Sequence, residues 1–293
     1  MKVGIVGTGL MGSQIAERLL EIGYEVFIYN RNKNKARSLI KKGGIWASSS
    51  RELGEKCKLV ILCLTDGAAT KEVCLGSDGL LNYSKGDLVI GNLSTISPTE
   101  SAEIAQIMKR RKIHFFQMPV MGGPDLARKG ELIAILSGEK GCIDMNMKII
   151  RDIARTVFYV GKTDGLANYI KLALNLNIAM IGIALSESII YIRKAGLDPN
   201  IFVEILNSTY FKTSLSEKKG PKMVKNNFEP RFHLRNMLKD LRLLTDSISA
   251  LGISLPFSNL SEQLFLAANN SGYSELDYTA ILAFLQDLNR KAK

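Results

Sequence analysis

The sequence predicts an α/β fold in which a doubly wound, mostly parallel sheet is followed by an all-helical second half, the two joined by one long helix. Three observations carry this expectation. From Lys2 to Val160, short runs rich in Val, Ile and Leu alternate with stretches of helical periodicity. Beyond Val160 no convincing strand is found, and the helical pattern is interrupted only at Gly196-Leu197-Asp198-Pro199, Lys219-Gly220-Pro221, Glu229-Pro230 and Gly252. Between the halves, Gly165 to Arg193 contains no proline and is apolar on several sides, which fits a single helix buried between them. The boundary is placed near Lys162-Thr163, giving domains 1–162 and 163–293.

Taken in order, the first strand is the apolar run containing Val3, Ile5 and Val6, which stops at Gly7-Thr8-Gly9-Leu10-Met11-Gly12. Ile15, Ala16, Leu19 and Leu20 then recur at helical spacing up to Gly23, and Val26 to Tyr29 is the next strand. Strand, glycine turn, helix and strand make a βαβ unit with its glycines where a dinucleotide is held. The first glycine permits the sharp turn, the second lets the backbone approach a pyrophosphate, and the third lets the helix pack close to its strand. Unpaired N–H groups at the helix start then face the phosphates. Gly7, Gly9, Leu10, Met11 and Gly12 are therefore cofactor-binding candidates. A glycine-rich turn without a ligand is the bland alternative, and the flanking strands and helix disfavour it.

The end of the second strand selects between dinucleotides. NAD-binding proteins usually place Asp or Glu there, for the ribose 2′-hydroxyl. This chain has Asn30-Arg31-Asn32, with Lys33 and Lys35 just beyond. A carboxylate would repel a 2′-phosphate, whereas guanidinium matches it and Lys35 adds a point charge, so NADP is expected in preference to NAD. A solvated basic loop is the competing explanation.

Lys33 to Lys42 reads as a helix ended by Gly43-Gly44, and Lys58 to Leu64 as a strand buried on both faces. Ligands of parallel sheets bind beyond the carboxyl ends of the strands, so Leu64 and Thr65, with the backbone near Ala68 and Ala69, are candidates to line the adenosine and ribose path. Asp87 to Leu93 is the next strand, and Ser97 is placed as the cap, before Pro98, of a helix over Thr99 to Arg111. Ile113 to Met118, Leu132 to Ser137 and Val157 to Val160 complete the strands.

Composition bounds the function. The 293 residues are 46% hydrophobic and 23% charged, ordinary for a globular chain with a sizeable core. Lys and Arg outnumber Asp and Glu by 39 to 28, but the clusters at Lys109 to Lys112 and Lys218 to Lys225 lack interleaved aromatics and match no DNA-binding motif. That charge is read as a solvated surface favouring anionic ligands, with no nucleic-acid partner. The four cysteines, Cys57, Cys63, Cys74 and Cys142, form no C-x-x-C pair and suggest reduced thiols, and His114 and His233 are too few for a zinc site, so no metal is expected. The chain enters a strand without a signal peptide, and no apolar run reaches the ~18 residues needed to cross a bilayer. A soluble cytoplasmic protein without a membrane partner is the expectation.

Within the long helix, Lys171 and Asn175 are four residues apart and share one face. A Lys and an Asn on a largely apolar surface need partners, because burying either unpaired is costly. A helix-rim lysine snorkelling to water is the competing account.

Four separated signatures meet here: the GTGLMG turn, PVMGGP at Pro119 to Pro124, the spaced Gly165, Lys171 and Asn175, and Lys239-Asp240-Leu241 after Phe232. In that order and spacing the chain resembles, nearly end to end, the β-hydroxyacid dehydrogenase family, which includes 3-hydroxyisobutyrate dehydrogenases and glyoxylate/succinic semialdehyde reductases. The resemblance implies an N-terminal Rossmann domain, an all-α C-terminal domain and catalysis in the cleft between them. It implies that Lys171 is the general acid/base, that Asn175 positions substrate, that the Gly122-Gly123 backbone holds a substrate carboxylate, and that Phe232 lines the cleft. Thr95 would lie beside the nicotinamide, Lys239 would close over cofactor and substrate, and Lys35 would approach the 2′-phosphate. Homodimers or homotetramers are common in the family.

Three departures from the family pattern stand out. Met121 stands before Gly122 in place of the usual serine, so the pocket loses a hydroxyl donor and gains apolar bulk. Gln117-Met118 replace an acidic residue and alanine, and Asn92 stands where many members have Asp.

The residues suit hydride transfer, with the cofactor moving the hydride and Lys171 the proton. A free lysine titrates at about 10.4, so service as a base is helped by partial burial and by the positive charge of the oxidised ring. The expected activity is NADP-dependent oxidoreduction of a short hydroxy acid, semialdehyde or oxo acid carrying a carboxylate. The rivals are an imine reductase of the same architecture, which commonly has another residue at the lysine position, and a non-catalytic NADP-binding scaffold.

Overall fold

The computed structural model describes residues 1–82 and 88–290. By its contacts the chain divides into two compact units, Met1–Lys171 and Leu172–Lys293. The first holds strands β1 (Lys2–Val6), β2 (Glu25–Tyr29), β3 (Ile45–Trp46), β4 (Leu59–Leu62), β5 (Val89–Asn92), β6 (His114–Gln117), β7 (Val120–Met121), β8 (Leu132–Ser137) and β9 (Ala154–Gly161). Its helices are α1 (Leu10–Glu21), α2 (Arg37–Lys41), α3 (Ser50–Lys56), α4 (Gly67–Leu75), α5 (Pro98–Arg110), α6 (Pro124–Lys129), α7 (Lys140–Met145) and α8 (Met147–Ile153).

The strands form one sheet in the order β3-β2-β1-β4-β5-β6-β8-β7, with β9 beside β8. The pairs from β3 to β6 are parallel, whereas β8 runs antiparallel to β6 and β7 and parallel to β9. Chain order reverses between β1 and β4, and a sheet of this order leaves a ligand crevice beyond the carboxyl ends of those strands. Alternation along β4 explains its uninterrupted apolar sequence. Leu59 and Ile61 enter one core with Ile5, Ile15 and Leu19, while Val60 and Leu62 enter the other with Leu53, Ile104 and Met108.

Several elements differ from the sequence reading. The helix expected over Lys33 to Lys42 is broken into a 3-10 turn, Lys33–Ala36, capped by Asn32 Oδ1, and the short α2. β3 and β7 are two residues each, too short for a period-2 pattern to register. β9 starts at the buried Ala154, and the exposed Arg155 and half-buried Thr156 separate it from the apolar run at Val157. The expected start of β5 at Asp87 lies outside the described residues. Ser97 does cap α5, accepting from Glu100 N, with Pro98 in its first turn.

Helix α9 (Leu166–Lys194) begins in the first unit and continues into the second, which is completed by α10 (Pro199–Ser208), α11 (Ser214–Val224), α12 (Leu234–Ala250), α13 (Pro256–Ala268) and α14 (Ile281–Leu288). Two expectations for α9 are corrected. By length and composition alone it could cross a membrane, the most apolar 18 residues within it having a mean hydropathy of 1.6. It is also far from wholly buried: 33% of its most apolar window is, and Tyr169, Ile170 and Tyr191 are exposed. Of its buried polar groups, Asn168 Nδ2 donates to Ile96 O and Ser186 Oγ to Gly182 O, while Asn168 Oδ1 has no partner among the described residues. The second unit's core gathers Leu234, Met237, Leu238 and Leu241 of α12 with Phe265, Ile281 and Phe284. In this unit the described strand pairing is a single bridge between His233 and Asp277.

Candidate active site

The glycine turn joins β1 to α1. Gly7 has φ +93°, and a Cβ there would lie 2.3 Å from Cys63 O. A Cβ on Gly12 would lie 2.0 Å from Gly7 O, so this glycine seats α1 directly on the end of β1. Around Gly9 nothing lies within 4 Å of a Cβ position, and as the N-cap residue of α1 it offers no side chain to the helix's first N–H groups. Leu10 is exposed and Met11 half-buried. Thr8 Oγ1 is buried without a hydrogen-bond partner among the described residues. Open space at the second glycine, uncapped amides and an orphaned hydroxyl form a cradle for a pyrophosphate.

The loop after β2 is tied to this turn. Thr8 N donates to Asn30 Oδ1 at 3.2 Å, and Asn30 Nδ2 donates to Asn32 O at 2.9 Å. Arg31 and Lys35 are exposed, while Lys33 Nζ sits 5.3 Å from the centre of the Trp46 ring. The loops after β4 and β5 are also joined: Leu64 N donates to Ser94 Oγ at 2.9 Å, and Ser94 N to Asn92 Oδ1 at 3.0 Å. Thr65 is exposed and Thr95 half-buried beside these anchors. Asn92 Nδ2 is buried and unpartnered among the described residues. Cys63, under the turn, is a free thiol that burial pushes up to about 12, as burial does for Cys57 and Cys142.

At β7 the candidate proton donor meets the backbone. Lys171 Nζ donates to Val120 O at 2.9 Å and approaches Met121 Sδ at 3.3 Å. The next residue, Gly122, has φ +122° and is exposed, and Gly123 has no atom within 4 Å of a Cβ position. Main chain without side chains is thus presented next to an ammonium group, an arrangement suited to an anionic substrate.

Lys171 is aimed there by bonds that seat the first turn of α9. Ala167 N donates to Ser137 Oγ at 3.1 Å, Ser137 Oγ to Gln117 Oε1 at 2.7 Å, and Gln117 Nε2 to Asp164 Oδ1 at 3.3 Å. Asn168 Nδ2 donates to Ile96 O at 3.2 Å. Gln117 and Ser137 are fully buried, and burial raises the Asp164 carboxyl above its ordinary range against the opposing bond from Gln117. None of these supports was singled out as functional in the sequence, because each is an unremarkable polar residue until its neighbours are known.

In the second unit, Asn175 Nδ2 donates to Asp240 Oδ2 at 2.5 Å. Lys239 Nζ lies 2.7 Å from Asp240 Oδ1 but outside hydrogen-bond geometry, so the contact is an ion pair. In the sequence the Lys239-Asp240-Leu241 signature points to its lysine, and nothing local marks Asp240 as the partner of Asn175. Phe232 is half-buried, its ring edge-on to Tyr278 at 6.1 Å.

Both halves of the chain are similar to known proteins. Residues 2–161 match the NAD binding domain of 6-phosphogluconate dehydrogenase, and residues 165–285 match the family described as NAD-binding of NADP-dependent 3-hydroxyisobutyrate dehydrogenase. The uncharacterized oxidoreductase YfjR of Bacillus subtilis is 30% identical over 96% of this chain and 99% of its own. Glyoxylate/succinic semialdehyde reductase 2 of Arabidopsis thaliana, a chloroplast protein, is 28% identical over 98% of this chain and 80% of its own. Among solved structures, Psf3 in complex with NADP+ and 2-OPP is similar with a TM-score of 0.90 and 25% identity, over 97% of this chain and 99% of that one. With both halves matched and the dinucleotide cradle in place, the chain belongs to the β-hydroxyacid dehydrogenase family and is an NAD(P)-binding oxidoreductase of that family.

Proposed function

We propose that this protein is an NADP-preferring dehydrogenase or reductase acting on a short hydroxy acid, semialdehyde or oxo acid that bears a carboxylate. The observation that carries the reading is the Lys171 ammonium resting on Val120 O, next to the exposed Gly122-Gly123 backbone. The nicotinamide supplies or accepts the hydride. Lys171 gives a proton to the substrate oxygen in the reducing direction and takes it back in the oxidising one. The N–H groups of Gly122 and Gly123 hold the carboxylate, and Met121 adds apolar surface beside it. Asn175, Phe232 and Lys239 contribute to substrate placement and closure.

For the cofactor, Gly7, Gly9 and Gly12 cradle the pyrophosphate, Leu64, Thr65 and Thr95 line the path to the ring, and Arg31 and Lys35 hold the 2′-phosphate. The absence of a carboxylate between Tyr29 and Lys35 supports NADP, as does the NADP+ bound by Psf3. The reading places the enzyme in the cytoplasm as a homodimer or homotetramer, with the exposed apolar side chains of α10 and α13, among them Ile201, Ile205, Phe257 and Leu260, supporting self-association.

Consumption of NADPH and of NADH with a panel of semialdehydes, oxo acids and imines tests the proposal. Turnover of a carboxylate-bearing carbonyl with NADPH preferred is expected. Turnover of imines alone, or of nothing, overturns it.

A further inference from the structure

Among the basic residues read as a solvated run, Lys219 is an exception. Its side chain is 23% exposed and its ammonium meets both oxygens of Asp277, at 2.6 and 2.7 Å. Asp277 is buried and accepts four further bonds. Its Oδ2 receives Arg231 N at 3.0 Å and Phe232 N at 3.2 Å, and its Oδ1 receives Thr279 N at 3.2 Å and Thr279 Oγ1 at 2.8 Å. The main chain runs alongside: Asp277 N donates to Phe228 O, Tyr278 N to Phe232 O, and Leu234 N to Leu276 O. One carboxylate thus collects donors from three separate stretches of sequence.

Both parts of Phe232 end on this cluster. Its N–H is held by Asp277, and its ring meets Tyr278, over whose face Lys219 Nζ lies at 4.2 Å. Phe232 is followed by His233, the N-cap residue of α12, and that helix carries Lys239 and Asp240.

A buried ion pair is a poor stabiliser, since an apolar pair of similar volume serves as well or better. Burial is the leading influence on Lys219 and lowers its titration below the usual lysine range; Asp277 opposes this, while Lys222 and Arg231 add to it. What the cluster supplies is geometry: one buried carboxylate fixes the Lys219 side chain, the main chain at Arg231 and Phe232, and Thr279.

We propose that Asp277, clamped by Lys219, is a positioning residue that sets Phe232 and the entry of α12 for substrate. This rests on the reading that Phe232 and Lys239 act on substrate and cofactor. Neither clamp residue touches the reacting atoms.

The test uses Lys219→Met, Asp277→Asn and the double variant in the full chain. Kinetics with the best carbonyl substrate are combined with NADPH binding, thermal unfolding and amide exchange. The single variants are expected to raise KM for the carbonyl roughly tenfold to hundredfold, as for a misplaced binding group, with NADPH affinity within about twofold of the parent. The double variant, which buries no unpaired charge, regains thermal stability but not KM, which separates positioning from folding. Faster amide exchange at Arg231, Phe232 and the first turn of α12 is expected in each variant. A double variant with parental KM overturns the proposal. If the parent reduces no carbonyl, the reading of function fails, and the clamp is then judged by exchange alone: unaltered exchange at residues 231–236 refutes it.

Discussion

Asn175 donates its amide N–H to Asp240, and each side chain is only 2% exposed. With Nδ2 taken up by a carboxylate, the amide is held in one orientation, which leaves its oxygen as the free acceptor for the substrate-positioning role proposed above. Replacing Asp240 by Ala leaves a buried Asn175 N–H unpaired, at a cost of about 1–3 kcal/mol in unfolding free energy measured by urea titration. Asp240→Asn preserves shape but lets the Asn175 amide turn over. It is expected to lower kcat/KM for the carbonyl about tenfold or more while the protein stays folded.

Lys171→Ala is expected to reduce turnover by roughly 10²–10⁴-fold, the usual contribution of a positioned acid or base, while NADPH still binds. Steady-state rates and a fluorescence titration with NADPH check both halves. Near-parental turnover would remove Lys171 from the proton transfer.

Cofactor preference is expected to move towards NAD when Asn30→Asp is combined with Arg31→Ser. The new carboxylate keeps an acceptor for Thr8 N and repels a 2′-phosphate, and one guanidinium is lost. Charged hydrogen bonds contribute about 1.5–3 kcal/mol, so the ratio of kcat/KM for NADPH over NADH is expected to fall at least about tenfold. An unchanged ratio would sink the 2′-phosphate assignment.

Asp164 gives a pH dependence of known sign. Burial raises its folded titration above the ordinary 3.8. The folded state therefore binds the proton more tightly than the unfolded chain, and this stabilisation is full below 3.8 and lost as pH rises through the raised value. Asp164→Asn keeps an acceptor for Gln117 Nε2 without the charge, so its urea midpoint is expected to lack that downward slope and to exceed the parent's at neutral pH. Parallel pH profiles would contradict this.

Local signals were the legible ones. The glycine turn, the alternating buried faces of β4 and the Ser97 cap lie within a few residues of their causes, so periodicity and turn chemistry reach them. Lys171 and Asn175 stood out because a helix brings residues four apart onto one side. Asp240 and Asp277 did not, because their partners lie 65 residues away at Asn175 and 58 away at Lys219, and backbone amides leave no residue signature. Gln117 looked like a mere departure from a family pattern until its bonds to Ser137 and Asp164 gave it a structural task. The exposed side of α9 escaped notice because apolar composition does not tell which faces are covered.

The unequal crowding around the three turn glycines separates what can be engineered from what cannot. At residue 12 even a methyl group collides with main chain, so a library there would sample unseated helices rather than altered affinities. Residue 9 is free of such neighbours, and changing it would alter the dinucleotide's approach while leaving the scaffold alone. Attempts to loosen or tighten coenzyme binding belong at the middle glycine.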